Sequence, residues 1–406
     1  MLSKGLHRFA VFTAIATLGL VGVGGLVTSH GAGMAVPDWP NTYGYNMFFF
    51  PISQWVGGIF YEHTHRLVAA AVGLLTGVLA LWLYGTSARP LMRWGGLGLV
   101  LCGIGTGLAL PHRWADGLVL GLTGLAALGA SRVWPRCAPS PKWLRRCGLA
   151  AFLCVVLQGV LGGLRVVLYQ DALGIFHATL AQLFFVLVCA IALFTSRWWQ
   201  ATLASSASGA SSRFSTLFLF TTLLILGQLT LGAAMRHQHA GLAIPDFPLA
   251  YGKLWPATDP ESVARYNAQR LEVLAANPIT AGQIVLQMVH RLLALAILGA
   301  VAFAAWSARR ALGSQNLLSR LSLVWLGLIV AQVCLGAATI WSNKAADVAT
   351  AHVLIGALCL ATGALLTLVV SRDRLFAHSV QTSGPVVGTP LPSQLEPQSS
   401  ALAGLA

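Results

Sequence analysis

Long apolar runs, separated by short polar segments, follow one another from near residue 9 to residue 370. Hydropathy is continuous within each run rather than alternating, which favours helices, because lipid forces every backbone group to be hydrogen-bonded within its own span. Crossing the hydrocarbon takes about 20 residues. Eight runs reach that length: 9–29, 59–84, 147–168, 173–195, 214–235, 284–306, 321–341 and 351–370. Two shorter runs, 94–110 and 116–134, form a hairpin, so we predict an all-α polytopic membrane protein with ten crossings.

Composition supports this assignment. The mean hydropathy is +0.74 and only 9% of residues are charged, whereas soluble domains have about a quarter. The net charge of +14 would suit nucleic acid, but the Lys and Arg residues cluster at alternate ends of successive runs, as cytoplasmic loops do. We therefore expect no nucleic acid, both termini in the cytoplasm, and two long outer loops at about 30–60 and 236–283. The first run leaves no room for an organellar transit peptide, which favours the bacterial cytoplasmic membrane and its lipid bilayer.

Four landmarks recur in the same order in both halves of the chain. Ala32 to Gly44, His65-Arg66, Gln158 to Gly162 and His177 match Ala240 to Gly252, His290-Arg291, Gln332 to Gly336 and His352. An even number of crossings separates the halves, so the repeat is parallel. We predict two pseudo-symmetric four-helix bundles, at 1–200 and 201–374. The first contains the inserted hairpin at about 88–142, and a disordered cytoplasmic tail at 375–406 follows the second.

Four histidines lie just inside the outer ends of predicted spans: His65, His177, His290 and His352. A single intramembrane histidine is more often a helix-packing hydrogen bonder than a ligand. Four at equivalent repeat positions instead favour two pairs that each hold an iron between facing helices. Each bundle offers only two such ligands, so haem, whose porphyrin supplies four nitrogens, is favoured over a bare metal.

Glu62 lies three residues before His65, so both project from one helical face toward the first haem. A carboxylate there can accept a proton or stabilise positive charge. The alternative is a helix-capping role. Gln287 occupies the equivalent position of the second half, and because a cap would serve both halves equally, this difference favours a catalytic role for Glu62.

Arg66 and Arg291 directly follow His65 and His290 and are candidates for binding haem propionates. Arg165 ends a predicted span of the first half and is a further candidate for cofactor binding at the first site. A snorkelling arginine at the interface is an equally good interpretation of Arg66 and Arg291 taken singly.

Two Pro-Asp-aromatic-Pro segments, 37–40 and 245–248, lie in the outer loops. Proline and aspartate favour rigid turns, and we expect these loops to cover the two sites, although a purely structural role fits equally well. Four further histidines lie in or beside the loops, and we expect them to be solvated: His30, His63, His237 and His239.

Taken together, Glu62-x-x-His65-Arg66, the two Pro-Asp-aromatic-Pro segments, Gln158 to Arg165, His177, His290-Arg291 and His352 resemble the haem A synthase family over residues 8 to about 372. The resemblance implies an oxygen-dependent enzyme of cytochrome oxidase assembly that oxidises the C8 methyl of haem O to the formyl of haem A. It implies that the first histidine pair receives haem O, that Glu62 is important there, and that the second pair holds haem b. Haem O synthase and the cytochrome oxidase assembly machinery are the implied partners. The electron donor is not readable, and a homo-oligomer is compatible with the sequence.

The main alternative is a dihaem electron-transfer cytochrome linked to quinol, which needs the same four histidines but no asymmetric acid. A transporter would show discontinuous helices or midplane charges, which we do not find. A further question concerns oxygen, since an iron with two histidine ligands has no open position for it. Either a ligand leaves, or Glu62 stabilises a developing cation that water attacks, and the sequence leaves both open.

Overall fold

The computed structural model describes residues 2–204, 212–270 and 278–381. Regular structure in these residues is helical, apart from two isolated β-bridges in the loops. The first half contains α1 Lys4–Ser29, α2 Gly57–Tyr84, α3 Ala88–Ala109, α4 Trp114–Val133, α5 Lys142–Val167, α6 Asp171–Thr195 and α7 Arg197–Ala204. The second half contains α8 Ser212–His237, α9 Pro260–Ala268, α10 Ala281–Leu312, α11 Leu317–Trp341 and α12 Ala346–Gln381.

Nine helical segments among the described residues are long and apolar enough to cross a membrane. One of them, Gly57–Ala109, has 53 residues, more than twice the length one crossing needs. It consists of α2 and α3, joined by a short 3-10 turn at Gly85–Ser87. Gly85 has a left-handed φ of 55°, and a Cβ there would meet the Cys137 carbonyl, so only glycine makes this turn without strain. All ten predicted runs are thus helical, and the chain is a multi-pass membrane protein.

The membrane helices form two rings of four. In the first, α1 and α5 each contact α2 and α6; in the second, α8 and α11 each contact α10 and α12. The rings meet where α12 lies against α1 and α6 and where α6 lies against α8. At the end that carries the long loops, Arg236 of α8 donates to the Gly25 carbonyl and the Ser29 hydroxyl of α1, at 2.7 and 2.5 Å. The two-bundle prediction agrees with this packing.

The hairpin of α3 and α4 is held together by close backbone contact at glycine. A Cβ on Gly103 would lie 2.6 Å from the Gly117 carbonyl oxygen, so the two helices approach as small-residue membrane helices do. At the hairpin tip, Asn46 of the first loop donates to the Asp116 carboxylate of α4, at 2.7 Å. The tip therefore lies on the same side of the bundle as the long loops.

The last helix is longer than its apolar pattern predicts. α12 continues past Arg374 to Gln381, so residues 375–381, predicted as part of a disordered tail, are helical. The chain offers no helix-breaking residue before Gly384 and Pro385. The remainder of the predicted tail, 382–406, lies outside the described residues.

Candidate functional site

The two long loops share one hydrogen-bonding scheme. In the first, the Asp38 carboxylate accepts from the backbone amides of Tyr43 and Gly44, both at 2.7 Å, and the Tyr43 hydroxyl donates to the Ala35 carbonyl, also at 2.7 Å. The second loop repeats every one of these bonds with Asp246, Tyr251, Gly252 and Ala243. The aspartates therefore close both turns from within, as Asx residues commonly do.

In the second loop the tyrosine is additionally covered by α9. Tyr251 stacks on Tyr266 with ring centroids 3.6 Å apart. Burial raises the pKa of Tyr251 to about 12. Its hydroxyl donates to the Ala243 carbonyl, 2.6 Å away, and the raised pKa preserves this bond into more alkaline solution than an ordinary tyrosine would.

Glu62 of α2 is buried, with 4% of its surface exposed, and its carboxylate is bonded to the first loop. One oxygen accepts from the Val36 amide at 2.8 Å, and the other pairs with Arg66, one turn further on, at 2.7 Å. Arg66 also donates to the carbonyls of Val36, Asp38 and Asn41 at 3.0, 2.6 and 2.8 Å. The capping alternative does not apply, because Glu62 lies beyond the first turn of α2. Glu62 and Arg66 together fasten the loop to the helix.

Gln287 of α10 makes the equivalent bond in the second half. It is 2% exposed, and its side-chain oxygen accepts from the Ile244 amide at 2.7 Å. Arg291 donates to the Asp246 and Leu249 carbonyls at 2.7 and 2.9 Å. The loop attachment is therefore common to both halves. What distinguishes them is the negative charge beside Arg66, which the amide beside Arg291 lacks.

Arg165, the third predicted arginine, lies at the end of α5 and joins three segments of the first half. Its guanidinium pairs with Asp171 at the start of α6, at 3.3 Å. It also lies directly over Gly33 of the first loop, where a Cβ would be 2.8 Å from the nearest guanidinium nitrogen. This places a second positive charge at the loop end of the first bundle.

The four predicted histidines lie within the first three turns of α2, α6, α10 and α12, and all are half-buried. α2 and α6, which carry His65 and His177, both contact α1 and α5, and α10 and α12, which carry His290 and His352, both contact α8 and α11. The structure therefore brings together the two pairs that the repeat predicts, one in each bundle.

Each of these histidines packs against a glycine of the preceding membrane helix. A Cβ on that glycine would lie 3.3 or 3.4 Å from the nearest ring atom, closer than an ordinary carbon contact. The pairs are Gly24 with His65, Gly162 with His177, Gly232 with His290 and Gly336 with His352. Glycine thus lets every ring lie directly against the backbone of the neighbouring helix.

Three glutamines contact the histidines. The sequence identified Gln158 and Gln332 only as landmarks of the internal repeat, without a role, and did not single out Gln228. Gln158 and Gln228 donate to the backbone carbonyls of His177 and His290 at 3.0 and 2.9 Å. Gln332 lies 3.4 Å from Nε2 of the His352 ring. Each glutamine precedes the histidine-facing glycine by four residues: Gln158 and Gly162, Gln228 and Gly232, Gln332 and Gly336. That spacing, repeated in three apolar helices, is the signal that identifies them.

The expectation that the loop histidines are solvated is wrong for His63. This side chain is 0% exposed, with Nδ1 3.1 Å from the Thr42 hydroxyl and the rings of Phe50 and Trp55 packed around it. The loop folds over α2 at this point, and its aromatic residues exclude water. His237 is half-buried against Gly174, whereas His30 and His239 are exposed.

The donor set suits a haem better than a bare ion. Nδ1 of His177, His290 and His352 is buried and has no hydrogen-bond partner in the described part of the chain, and each ring lies against a glycine. Two facing imidazoles complete the axial positions of a haem iron. Among the described residues, no group of three His, Cys, Asp or Glu side chains is arranged to hold a metal ion. The two histidine pairs therefore fit haem.

Comparison with known proteins agrees with this chemistry. The family model of the cytochrome oxidase assembly protein, COX15-CtaA, matches residues 112–364, more than half of the 406 residues. Heme A synthase from Rhizorhabdus wittichii strain RW1 is 26% identical over 367 residues, which cover 88% of this chain and 91% of the relative. The resemblance seen in the sequence motifs is confirmed. This chain therefore belongs to the COX15-CtaA family of cytochrome oxidase assembly proteins, the family of haem A synthase.

Proposed function

We propose that this protein is a haem A synthase, which oxidises the C8 methyl of haem O to the formyl group of haem A with oxygen as oxidant. The observation that carries the proposal is an asymmetry between two otherwise matching sites. Both bundles present a histidine pair, a glycine beside each ring and an identically built loop. Only the first adds a buried carboxylate, Glu62, where the second has Gln287. Two equivalent electron-transfer sites would not need that difference.

The first pair, His65 and His177, binds the substrate haem O, and the second pair, His290 and His352, binds haem b. When bound, haem b supplies electron transfer to and from the first site. Arg66 and Arg291 place positive charge at the loop end of the two sites, where haem propionates are neutralised. Arg165 adds a further charge at the first site. The two long loops cover the outer ends of the sites and exclude water from them.

Within the first site, Glu62 carries the one acidic charge that the second site lacks. Converting a methyl to a formyl group removes electrons from the carbon and releases protons. We assign Glu62 to accept a proton in this process, or to stabilise positive charge that develops at the methyl carbon. Its bonds to Val36 and Arg66, at 2.8 and 2.7 Å, hold the carboxylate in one orientation.

The protein lies in the bacterial cytoplasmic membrane, with both termini in the cytoplasm and the haem sites near the outer face. This orientation follows from the positions of Lys and Arg. A haem O synthase supplies the substrate, and the cytochrome oxidase assembly machinery receives the product.

The test is mass-resolved chromatography of the haems extracted from purified protein, expressed with and without a haem O synthase. We expect haem O, its hydroxylated forms and haem A only when the synthase is present. Unmodified haem b alone, in the presence of oxygen and reductant, would contradict the proposal and favour the quinol-linked dihaem cytochrome.

A further inference from the structure

The four histidines differ in how the preceding helix holds them. His177, His290 and His352 each have a glutamine amide within 3.4 Å, four residues before the glycine that faces the ring. The corresponding position before Gly24, which faces His65, is Leu20. Leu20 packs into the apolar core of the first bundle and has no polar atom to offer. Within the described ranges of the chain, His65 is thus the one member of the four with no glutamine amide beside it.

Each of the three glutamine sites contains a hydrogen-bond acceptor and a ring nitrogen that both lack a partner among the described residues. The side-chain oxygens of Gln158, Gln228 and Gln332 are buried without a hydrogen-bond donor, and Nδ1 of the three neighbouring histidines is buried without an acceptor. An imidazole that binds metal through Nε2 carries its proton on Nδ1 and needs an acceptor there. Gln158 and Gln228 are bonded to the main-chain carbonyls of His177 and His290, and Gln332 contacts the His352 ring at Nε2. Each of the three glutamine side chains is therefore next to its histidine. Neither ring nitrogen of His65 is among the buried unpartnered atoms.

We propose that the three glutamines are positioning residues that fix their histidines as haem ligands, and that His65, whose preceding helix has Leu20 at the matching position, is the weakly held ligand that detaches. This inference rests on the proposed haem sites. It favours the route in which a ligand leaves, since release of His65 provides a free iron position in the first site only. In that route, of the two roles proposed for Glu62, the proton acceptor applies. In the second site both histidines have a glutamine partner, so both stay bound to the iron and the site only transfers electrons.

The experiment measures carbon monoxide binding to the reduced, fully loaded protein, because carbon monoxide reaches a two-histidine haem only when one ligand leaves. The absorption bands of haem b and of haem O or its products differ, so the spectrum identifies the site that reacts. We expect wild-type protein to bind carbon monoxide at the first site and not at the second.

Two substitutions test the role of the amide: one adds an amide beside His65, and the other removes the amide beside His290. Leu20→Gln gives His65 the missing amide and should slow carbon monoxide binding about threefold to tenfold, the effect of one ordinary hydrogen bond. Leu20→Met, which has the same length without the amide, is the matched control and should bind at the wild-type rate. Gln228→Met removes the partner of His290 and should allow carbon monoxide to reach haem b.

Equal rates in Leu20→Gln and Leu20→Met would overturn the inference, as would wild-type binding at haem b. These outcomes are separate from failure of the proposed function, which shows as absence of haem O and its oxidised forms from the extract. The spectroscopic measurement does not depend on turnover.

Discussion

Replacing Glu62 by glutamine separates its structural role, which is to attach the first loop to α2, from its proposed catalytic role, which needs the negative charge. The substitution copies Gln287, whose side-chain oxygen accepts from the loop amide of Ile244 at 2.7 Å. The equivalent bond to Val36 should therefore survive in Glu62→Gln, and only the negative charge is lost. Glu62→Ala removes both the charge and the acceptor.

The structure sets the expected stability of the two variants. In Glu62→Gln, Arg66 loses a charge-assisted bond of 2.7 Å but keeps three carbonyl partners. Arg291 already relies on carbonyls in the second half. We expect a loss of about 1–2 kcal/mol in the free energy of unfolding. Glu62→Ala also strands the Val36 amide, at 0% exposure, which costs about 1–3 kcal/mol more.

Two measurements follow on the same preparations. Thermal unfolding should rank wild type above Glu62→Gln and Glu62→Gln above Glu62→Ala. Conversion of haem O, followed by chromatography of extracted haems, should fall at least about 100-fold in both variants, the lower end for a lost proton-transfer group. Haem content should stay near the wild-type level in Glu62→Gln. If Glu62→Gln converts haem O at close to the wild-type rate, Glu62 only fastens the loop and our catalytic assignment is refuted.

Three further predictions concern the histidine sites and the hairpin. Replacing His290 by alanine should remove haem b while haem O remains bound, as measured by the haem b to haem O ratio in the extract. Gly162→Leu should push against the His177 ring, which a Cβ at this position would already approach to 3.3 Å, and lower the haem content of the first site. Gly159→Leu is the control in the same helix; nothing lies within 4 Å of its Cβ position, so this variant should keep its haem. Gly103→Ala should force α3 away from the backbone of α4 and lower the unfolding temperature by several degrees. The control is Gly105→Ala, at a position that faces open space. Its unfolding temperature should be unchanged or slightly higher, because alanine favours helix.

The helices and the histidine pairs could be predicted because their signals are local and repeated. Apolar runs report membrane spans directly, and the matching positions of His65 and His290 follow from the internal repeat. Helix periodicity also places Glu62 and His65 on the same side of α2. It does not reveal a partner distant in sequence, so the bond between Glu62 and the Val36 amide emerged only from the structure.

The burial of His63 likewise depends on residues that are distant from it in sequence. Its neighbours in sequence are polar and it lies near the loop end of a membrane helix, a position that is typical of a solvated residue. Phe50 and Trp55 cover it because the first loop folds back onto α2. The domain limits at residues 200 and 374 and the roles of the site residues remain predictions.

The shared loop attachment has a consequence for how the two halves diverged. Acid and amide make the same hydrogen bond to the loop, with lengths of 2.8 and 2.7 Å, so either residue preserves the fold. Glutamate and glutamine codons differ by a single nucleotide. Exchange of one residue for the other therefore changes the charge beside the arginine and leaves the loop attached. Mutation can alter the electrostatics of either half without first damaging its structure.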